Sequence, residues 1–206
     1  MKRLLMIVLG MAIGLALAAT FGLTMFDRVA KWLGEGPDPQ TIAAASLESV
    51  REQQKMTVFA ARFIAVVTSE QSRFGLSAKK TLILPGLVRY DVDLSKMTPR
   101  DLNWNGATRT LTVALPPVSI SGPEITLSDM HEYDSGGLLM ALTNAETRLD
   151  AANRRAANAS LLRQARETLP MRLANEAAQH AIERSFAMPL HAAGVDARVV
   201  VRFRQI

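Results

Sequence analysis

The feature that most constrains this chain is an uncharged apolar segment that runs from Leu4 to Phe26. At about 1.5 Å per residue, a helix of this length extends roughly 34 Å, enough to cross the ~30 Å hydrocarbon core of a bilayer. We therefore predict a transmembrane anchor at residues 4–26, which makes the lipid bilayer the first partner of the protein. Every other segment must then fold and act while tethered to a membrane.

The charges on either side of the anchor predict its orientation. Lys2 and Arg3 precede it, whereas the segment that follows, up to Asp38, contains two basic and three acidic residues. Because positively charged flanks tend to remain in the cytoplasm, residues 1–3 are expected to be cytoplasmic and the rest of the chain to be exported.

A cleaved secretory signal is the competing interpretation of the same segment. Ala16-Leu17-Ala18 resembles a small-x-small cleavage site, but the apolar run continues to Phe26. The apolar region of a signal peptide usually spans about 7–15 residues, so this one is too long and an uncleaved anchor is favoured. A mature N-terminus at Ala19 would contradict that prediction.

Small residues recur every four positions along one face of the anchor, namely Gly10, Gly14, Ala18 and Gly22. Such a row lets a second helix approach closely, although small residues are frequent in membrane helices generally. These four residues are the predicted helix-association face, and they favour self-association into a homo-oligomer.

Composition bounds the part of the chain beyond the anchor. The chain has 206 residues and no cysteine, which excludes disulfides, thiolate metal sites and a cysteine nucleophile. A linker at residues 27–40, with glycines and prolines near its end, precedes one domain at residues 41–206. The net charge of +5 is small, and no basic run carries interleaved aromatic residues, so nucleic acid is not expected as a partner.

The first half of the domain favours strands after a short helix. An amphipathic pattern predicts a helix at residues 41–56, and a near-continuous run of β-branched and aromatic residues predicts a buried strand at 57–68. Residues 81–94 alternate between apolar and polar, with Pro85-Gly86 expected to break the strand or form a bulge.

Turn residues punctuate the next segment. Asn105-Gly106 predicts a hairpin over residues 102–115, because these residue types adopt the positive φ angles of tight turns. Residues 118–127 are expected to add an irregular edge strand, interrupted by Gly122-Pro123.

The second half of the domain favours long alanine-rich helices. Thr143 and Glu146 have the spacing of a capping box, and Pro170 predicts a kink or a new helix start. The predicted apolar stripes are Leu142, Ala145, Leu149, Ala152, Ala156 and Ala159, then Leu173, Ala177, Ala181 and Ile182. A final strand is expected at residues 195–203. The fold class is therefore α+β, with a mostly antiparallel sheet and segregated helices.

Several of these segments together resemble a bacterial family of single-pass membrane proteins whose exported domain has no assigned function, DUF4230. The likeness extends from Leu47 to Arg204 and is carried by residues 57–63, 85–96, 110–117 and 193–199. The resemblance implies an anchor in the bacterial inner membrane and a periplasmic domain. It implies no activity and no site residues.

The densest group of reactive side chains is Asp129-Met-His-Glu-Tyr-Asp134. Such a loop could bind a divalent cation or supply a general base, but alternate residues of an extended segment point to opposite faces. We favour a polar loop, and we predict no catalytic residues, no cofactor and no metal. Asp91 and Asp93, with Arg89, are interpreted as solvated strand residues.

Three functional hypotheses follow, in order of preference. The first is a non-enzymatic, membrane-anchored scaffold or accessory module of the cell envelope that contacts itself or another envelope protein. The second is an exported domain that binds an apolar or lipid ligand between its sheet and its helices. The third is a metal-dependent hydrolase built on residues 129–134.

Overall fold

In the computed structural model of this protein, the described residues are 38–73, 75–135 and 137–204. The predicted anchor at residues 4–26 and its association face lie outside them, as does most of the predicted linker. No helix within the described ranges is both long enough and apolar enough to cross a membrane.

The described chain is an α+β domain with mostly antiparallel strands, then helices and a last strand, as predicted. The elements in chain order are α1 (Pro39–Glu52), β1 (Lys55–Arg73), β2 (Leu76–Asp93), β3 (Leu102–Asn105), β4 (Thr110–Leu115), β5 (Ser119–Ile125), β6 (His131–Ser135), α2 (Gly137–Leu142), α3 (Ala145–Ala165), α4 (Thr168–Ala192) and β7 (Arg198–Phe203). Short 3-10 turns occupy Leu94–Lys96, Pro99–Asp101 and Leu127–Asp129.

A long antiparallel hairpin of β1 and β2 organises the first sheet. The strands pair from Lys55 opposite Asp93 to Arg73 opposite Leu76, with one register shift after Thr57. β5 and β6 both pair with the other side of β2, so β2 is the central strand. The hairpin is thus the frame on which the rest of the domain packs.

β2 continues through Pro85 and Gly86, so the predicted break is wrong, and the irregularity in its pairing with β5 lies between Leu87 and Arg89 instead of at Pro85-Gly86. Proline lacks the N–H that a central strand must donate. However, β6 pairs with β2 only up to Ile83, and β5 pairs with it from Gly86 onward. Pro85 therefore lies in the gap between those two strands, where its missing donor costs no ladder hydrogen bond.

The second sheet has the order β3-β4-β7, with β4 antiparallel to β3 and parallel to β7. The hairpin predicted at residues 102–115 is confirmed, but its turn is formed differently. The positive φ belongs to Arg109, at 48°, and not to Asn105 or Gly106. Asn105 instead acts through its side chain, whose Oδ1 accepts hydrogen bonds from the backbone N–H groups of Ala107 and Thr108.

Helix α3 covers one face of the hairpin sheet, which we call the inner face; the opposite face is the outer face. The helix buries every fourth residue, namely Ala145, Leu149, Asn153, Ala157, Leu161 and Ala165. The predicted stripe is correct at Ala145 and Leu149 but wrong at Leu142, Ala156 and Ala159, which are exposed. A row with four-residue spacing winds slowly around the helix and so follows a twisted sheet.

Helices α1 and α4 pack with the second sheet around another core. Its buried members include Leu47, Val92, Leu111, Ile182, Phe186 and Leu190. Helix α4 begins at Thr168 with Pro170 in its first turn, so the predicted new helix start is confirmed. Its buried row also has four-residue spacing, which leaves Leu173 40% exposed although the stripe placed it inside.

Two helix starts differ from expectation. Helix α1 begins two residues earlier than predicted, because the Asp38 carboxylate accepts hydrogen bonds from the backbone N–H groups of Gln40 and Thr41. The predicted capping box at Thr143 is wrong. The Thr143 hydroxyl donates to the carbonyl of Leu139 in the preceding helix, at 2.6 Å.

Candidate interaction surface

The outer face of the hairpin carries a strip of apolar side chains, exposed on β1 and half-buried on β2. Ile64 is 57% exposed and Val66 is 64% exposed on β1. Their cross-strand neighbours on β2 are Pro85 and Ile83, and Leu87 follows on the same face. We call these five residues the outer strip.

The alternation of β1 explains why these side chains point outward. Phe63, Ala65 and Val67 pack beneath α3 on the inner face. Because successive residues of a strand point to opposite faces, Ile64 and Val66 must lie on the outer face. Polar residues are usual at such positions in a sheet with one wet face, so an apolar strip here is unexpected.

The edge of β1 that faces away from β2 is also open. Among the described strands, β1 pairs only with β2. The Gln164 side-chain amide reaches this edge and donates to the carbonyl oxygen of Ile64 at 3.1 Å, and helix α4 packs against the first half of β1 near Phe59 and Ala61. Exposed charged residues occupy the outer face on either side of the strip, with Arg62 toward one end of β1 and Glu70 toward the other.

The inner face holds a buried polar cluster that the sequence analysis missed. The ammonium group of Lys80 lies 2.5 Å from an Asp150 carboxylate oxygen of α3 and 2.9 Å from a Glu132 oxygen of β6. Asn153 donates from its side-chain amide to the Lys80 carbonyl oxygen at 2.8 Å. These contacts join β2, β6 and α3, so the cluster fastens the helix and the short strand onto the hairpin.

A signal for this cluster was present in the sequence. Ala78, Leu82 and Leu84 point to the inner face of β2. Lys80 lies between them at the same two-residue spacing, so its side chain points to that face as well. A lysine at a core position of a strand requires a buried counter-charge. Burial lowers the pKa of the Lys80 ammonium, but hydrogen bonds and charge from Asp150 and Glu132 outweigh it and hold that pKa above its ordinary value.

The predicted polar loop at residues 129–134 is mostly strand β6, and its members do not converge. All residues of β6 are exposed; Glu132 forms an ion pair with Lys80, whereas His131 and Tyr133 lie opposite Ile83 and Thr81. Over the ranges that the structure describes, no group of three or more histidine, aspartate or glutamate residues is placed to hold a metal ion.

Asp91 and Asp93 have separate surroundings. Asp91 is only 6% exposed and accepts hydrogen bonds from the hydroxyls of Thr57, at 2.7 Å, and Ser121, at 2.6 Å. Asp93 accepts from Ser95, and this hydrogen bond holds the pKa of its carboxyl below the ordinary value. Both carboxylates are therefore occupied within the fold, and the expectation that Asp91 is solvated is wrong.

A further ion pair joins the last strand to the start of the second sheet. The Arg204 guanidinium donates to both carboxylate oxygens of Asp101, at 2.8 and 2.6 Å. Burial raises the pKa of Asp101, but the Thr98 backbone N–H and Arg204 outweigh it and hold that pKa below its ordinary value. This pair is structural, because both of its members are satisfied by each other and by nearby backbone.

Two clefts flank Trp104 at the end of the domain where α1 begins. One, of about 320 Å³, lies between α1 and the second sheet and is lined by Ala43, Leu102 and Leu111. The other, of about 380 Å³, contains Arg109 and Asp196. By contrast, a Cβ atom at Gly86 would lie 2.7 Å from Leu161, so α3 packs directly onto the hairpin sheet.

Comparison with known proteins adds one finding. The family model described as protein of unknown function, DUF4230, matches residues 48–201. No curated protein and no solved structure matches the chain.

Proposed function

The chain belongs to the DUF4230 family of proteins of unknown function, and from that premise we propose that it is a membrane-anchored interaction module that binds another protein through the outer strip. One observation carries this proposal. Ile64 and Val66 are each more than half exposed at the centre of a well-packed hairpin. A contiguous exposed apolar patch on a folded domain is typical of an interaction site.

Energetics support a docking role for the strip. Fully burying an isoleucine or valine side chain contributes about 1.5–3 kcal/mol, so covering these half-exposed residues yields on the order of 1 kcal/mol each. Their cross-strand neighbours Ile83 and Pro85 extend the same surface. The strip also needs little ordering on binding, because α3 holds the hairpin rigid from the inner face.

The location of the module is part of the proposal. Residues 4–26 anchor it in the bacterial inner membrane, residues 1–3 remain in the cytoplasm, and the domain stands in the periplasm. Gly10, Gly14, Ala18 and Gly22 let anchors associate. Support comes from the length of the apolar segment and the charges on its flanks. The partner is a protein of the cell envelope, and no cofactor is involved.

Crosslinking in native membranes tests the proposal. Cells producing the full chain are treated with a mild crosslinker, and the captured proteins are identified by mass spectrometry. We expect a constant partner that is lost when Ile64→Ser and Val66→Ser are combined. Met188→Ser is the matched control, since Met188 is 70% exposed and lies on α4 instead of the hairpin strands.

Two results would overturn the proposal. One is a partner profile that the outer-strip variant and the Met188 control share with the unmodified chain. The other is release of the chain from membranes by alkaline carbonate, which extracts peripheral proteins and leaves anchored ones in place. Folding of each variant is checked by limited proteolysis, because both sites are at the surface.

A second function is favoured by the cleft of about 320 Å³ beside Trp104, which is near the lower size limit of ligand sites. Ala43, Leu102, Trp104 and Leu111 give it an apolar wall for a lipid chain, and Gln40 and Asn103 are polar residues of the same lining. The close packing around Gly86 disfavours a ligand between α3 and the hairpin sheet. Trp32→Phe leaves Trp104 as the only tryptophan, so its fluorescence reports directly on lipid binding in this cleft. Unchanged emission on addition of fatty acid would exclude it.

A further inference from the structure

The pairing of β1 with β2 determines which residues of β1 direct their backbone N–H and C=O groups to the free edge. Ile64 lies opposite Pro85, which has no N–H, so this pair cannot exchange the two hydrogen bonds of a bonded antiparallel pair. The N–H and C=O of Ile64 therefore point away from β2, and the Gln164 amide that reaches the Ile64 carbonyl agrees with this. By the two-residue period, the even-numbered residues from 60 to 70 all present these groups to the free edge.

The charges along that edge have a symmetric arrangement. Arg62 and Glu70 are each four residues from Val66 and lie on the same face. Both are exposed. Lys79 lies opposite Glu70 on β2, and Glu124 and Asp129 border a small cleft with Arg62, but neither Arg62 nor Glu70 forms an ion pair within the described ranges. An antiparallel second β1 strand, related by a twofold axis at Val66, would place Arg62 of each copy opposite Glu70 of the other.

This register is the one that the charges select. The same pairing puts Ile64 opposite Thr68 of the second copy and Val66 opposite its own counterpart. A parallel pairing in register would instead put Arg62 opposite Arg62, and like charges directly across a sheet are destabilising. An edge that is long, exposed and apolar at its centre is also a ready template for another strand.

We propose that two copies of this chain pair through the free edges of β1, antiparallel and centred on Val66. The hairpin sheets then form one continuous sheet, and the two outer strips become one apolar face. Gln164 gives up its exposed contact with Ile64 when the second strand arrives. The inference rests on the proposed function in one respect, since anchoring in one membrane raises the effective concentration of the two edges.

The cysteine-free chain allows a direct test by single-cysteine disulfide formation in native membranes. Cα atoms of a hydrogen-bonded antiparallel pair are about 5.5 Å apart, within the range of about 4.4–6.8 Å that a disulfide requires. Val66→Cys should therefore form a disulfide dimer. Thr68→Cys is the matched control on the same face, because its counterpart would lie about 13 Å along the opposing strand. Equal dimer yields at the two positions would overturn the inference.

Charge reversal gives a second test in the Val66→Cys background. Arg62→Glu or Glu70→Arg alone should lower the dimer yield roughly fivefold, since each places like charges opposite each other twice in the dimer. Combining the two reversals should restore the yield. If the double variant does not recover the dimer yield, the proposed register is overturned, regardless of the yields of the single variants.

The outcomes separate this inference from the proposed function. Equal disulfide-dimer yields at positions 66 and 68 would overturn only the dimer inference if the membrane-bound chain still captures its partner through the outer strip. The proposed function is overturned if alkaline carbonate extracts the chain from membranes. It is also overturned if the outer-strip variant still captures the same partner.

Discussion

Removing the ammonium group of Lys80 is the sharpest test of what holds the domain together. Lys80→Met keeps the length and apolar stem of the side chain but leaves Glu132 and Asp150 without their shared cation. Breaking a buried ion pair by removing one partner costs about 3–5 kcal/mol. The two carboxylate side chains are each 30% exposed, so water relieves part of this cost. We expect a loss of about 2–4 kcal/mol in the free energy of unfolding.

Urea denaturation of the full chain in detergent micelles, followed by far-UV circular dichroism, measures this change. Lys79→Met is the matched control, because Lys79 is exposed and its substitution should change the free energy of unfolding by less than about 0.5 kcal/mol. Adding Glu132→Gln and Asp150→Asn to Lys80→Met should recover stability, since no uncompensated charge is left. Equal unfolding midpoints for the Lys80 and Lys79 variants would refute a structural role for the cluster.

The pH dependence of the same variant follows from the raised pKa of Lys80. A lysine whose pKa is higher in the folded state contributes stability that is complete below its unfolded pKa of about 10.4. That contribution is lost as the pH rises through the folded value. The stability difference between the unmodified chain and Lys80→Met should therefore be constant from about pH 7 to 9 and shrink above about pH 10.5. A difference that shrinks between pH 7 and 9 would contradict this assignment.

Three further predictions can be checked by the same denaturation assay. Tyr90→Phe should lower the free energy of unfolding by about 1–2 kcal/mol, because the buried hydroxyl donates to the last carbonyl of α3 at 2.9 Å. Gly86→Ala should cost about 1–3 kcal/mol, since the added Cβ would lie 2.7 Å from Leu161 Cδ1. Asp101→Asn should cost about 1 kcal/mol at neutral pH. Because the folded pKa of Asp101 is lowered, that cost should vanish as the pH falls through the folded value, below the ordinary pKa of about 3.9. An unchanged midpoint for any of the three would contradict the corresponding contact.

Local patterns predicted most of the elements but not their limits. The β-branched run at residues 57–68 marked β1, yet the strand extends from Lys55 to Arg73 because β2 pairs with it along its whole length. Pro85-Gly86 was expected to interrupt β2 or form a bulge, since a proline has no N–H to donate. Only the positions of β5 and β6 along β2 show that no neighbouring strand needs that donor.

The candidate surface depended more strongly on tertiary structure. The sequence places Ile64 and Val66 in a near-continuous apolar run that predicts a buried strand, and their exposure shows that this prediction is wrong for one face. Helix α3 packs only on the inner face. The residues of this run that point to the outer face, such as Ile64 and Val66, are therefore exposed. Lys80 shows the converse, since a charged residue was brought inside by partners on β6 and α3, tens of residues away in sequence.

The sequence by itself determined the segment suited to a bilayer, the absence of cysteine chemistry, the α+β class and the family likeness. Each of these depends on composition or on short-range periodicity, which a chain carries before it folds. Tertiary structure decided which strand edge is open, which face is covered and which charges meet. These depend on contacts between residues distant in sequence, and the geometry of those contacts exists only once helices and sheets pack together.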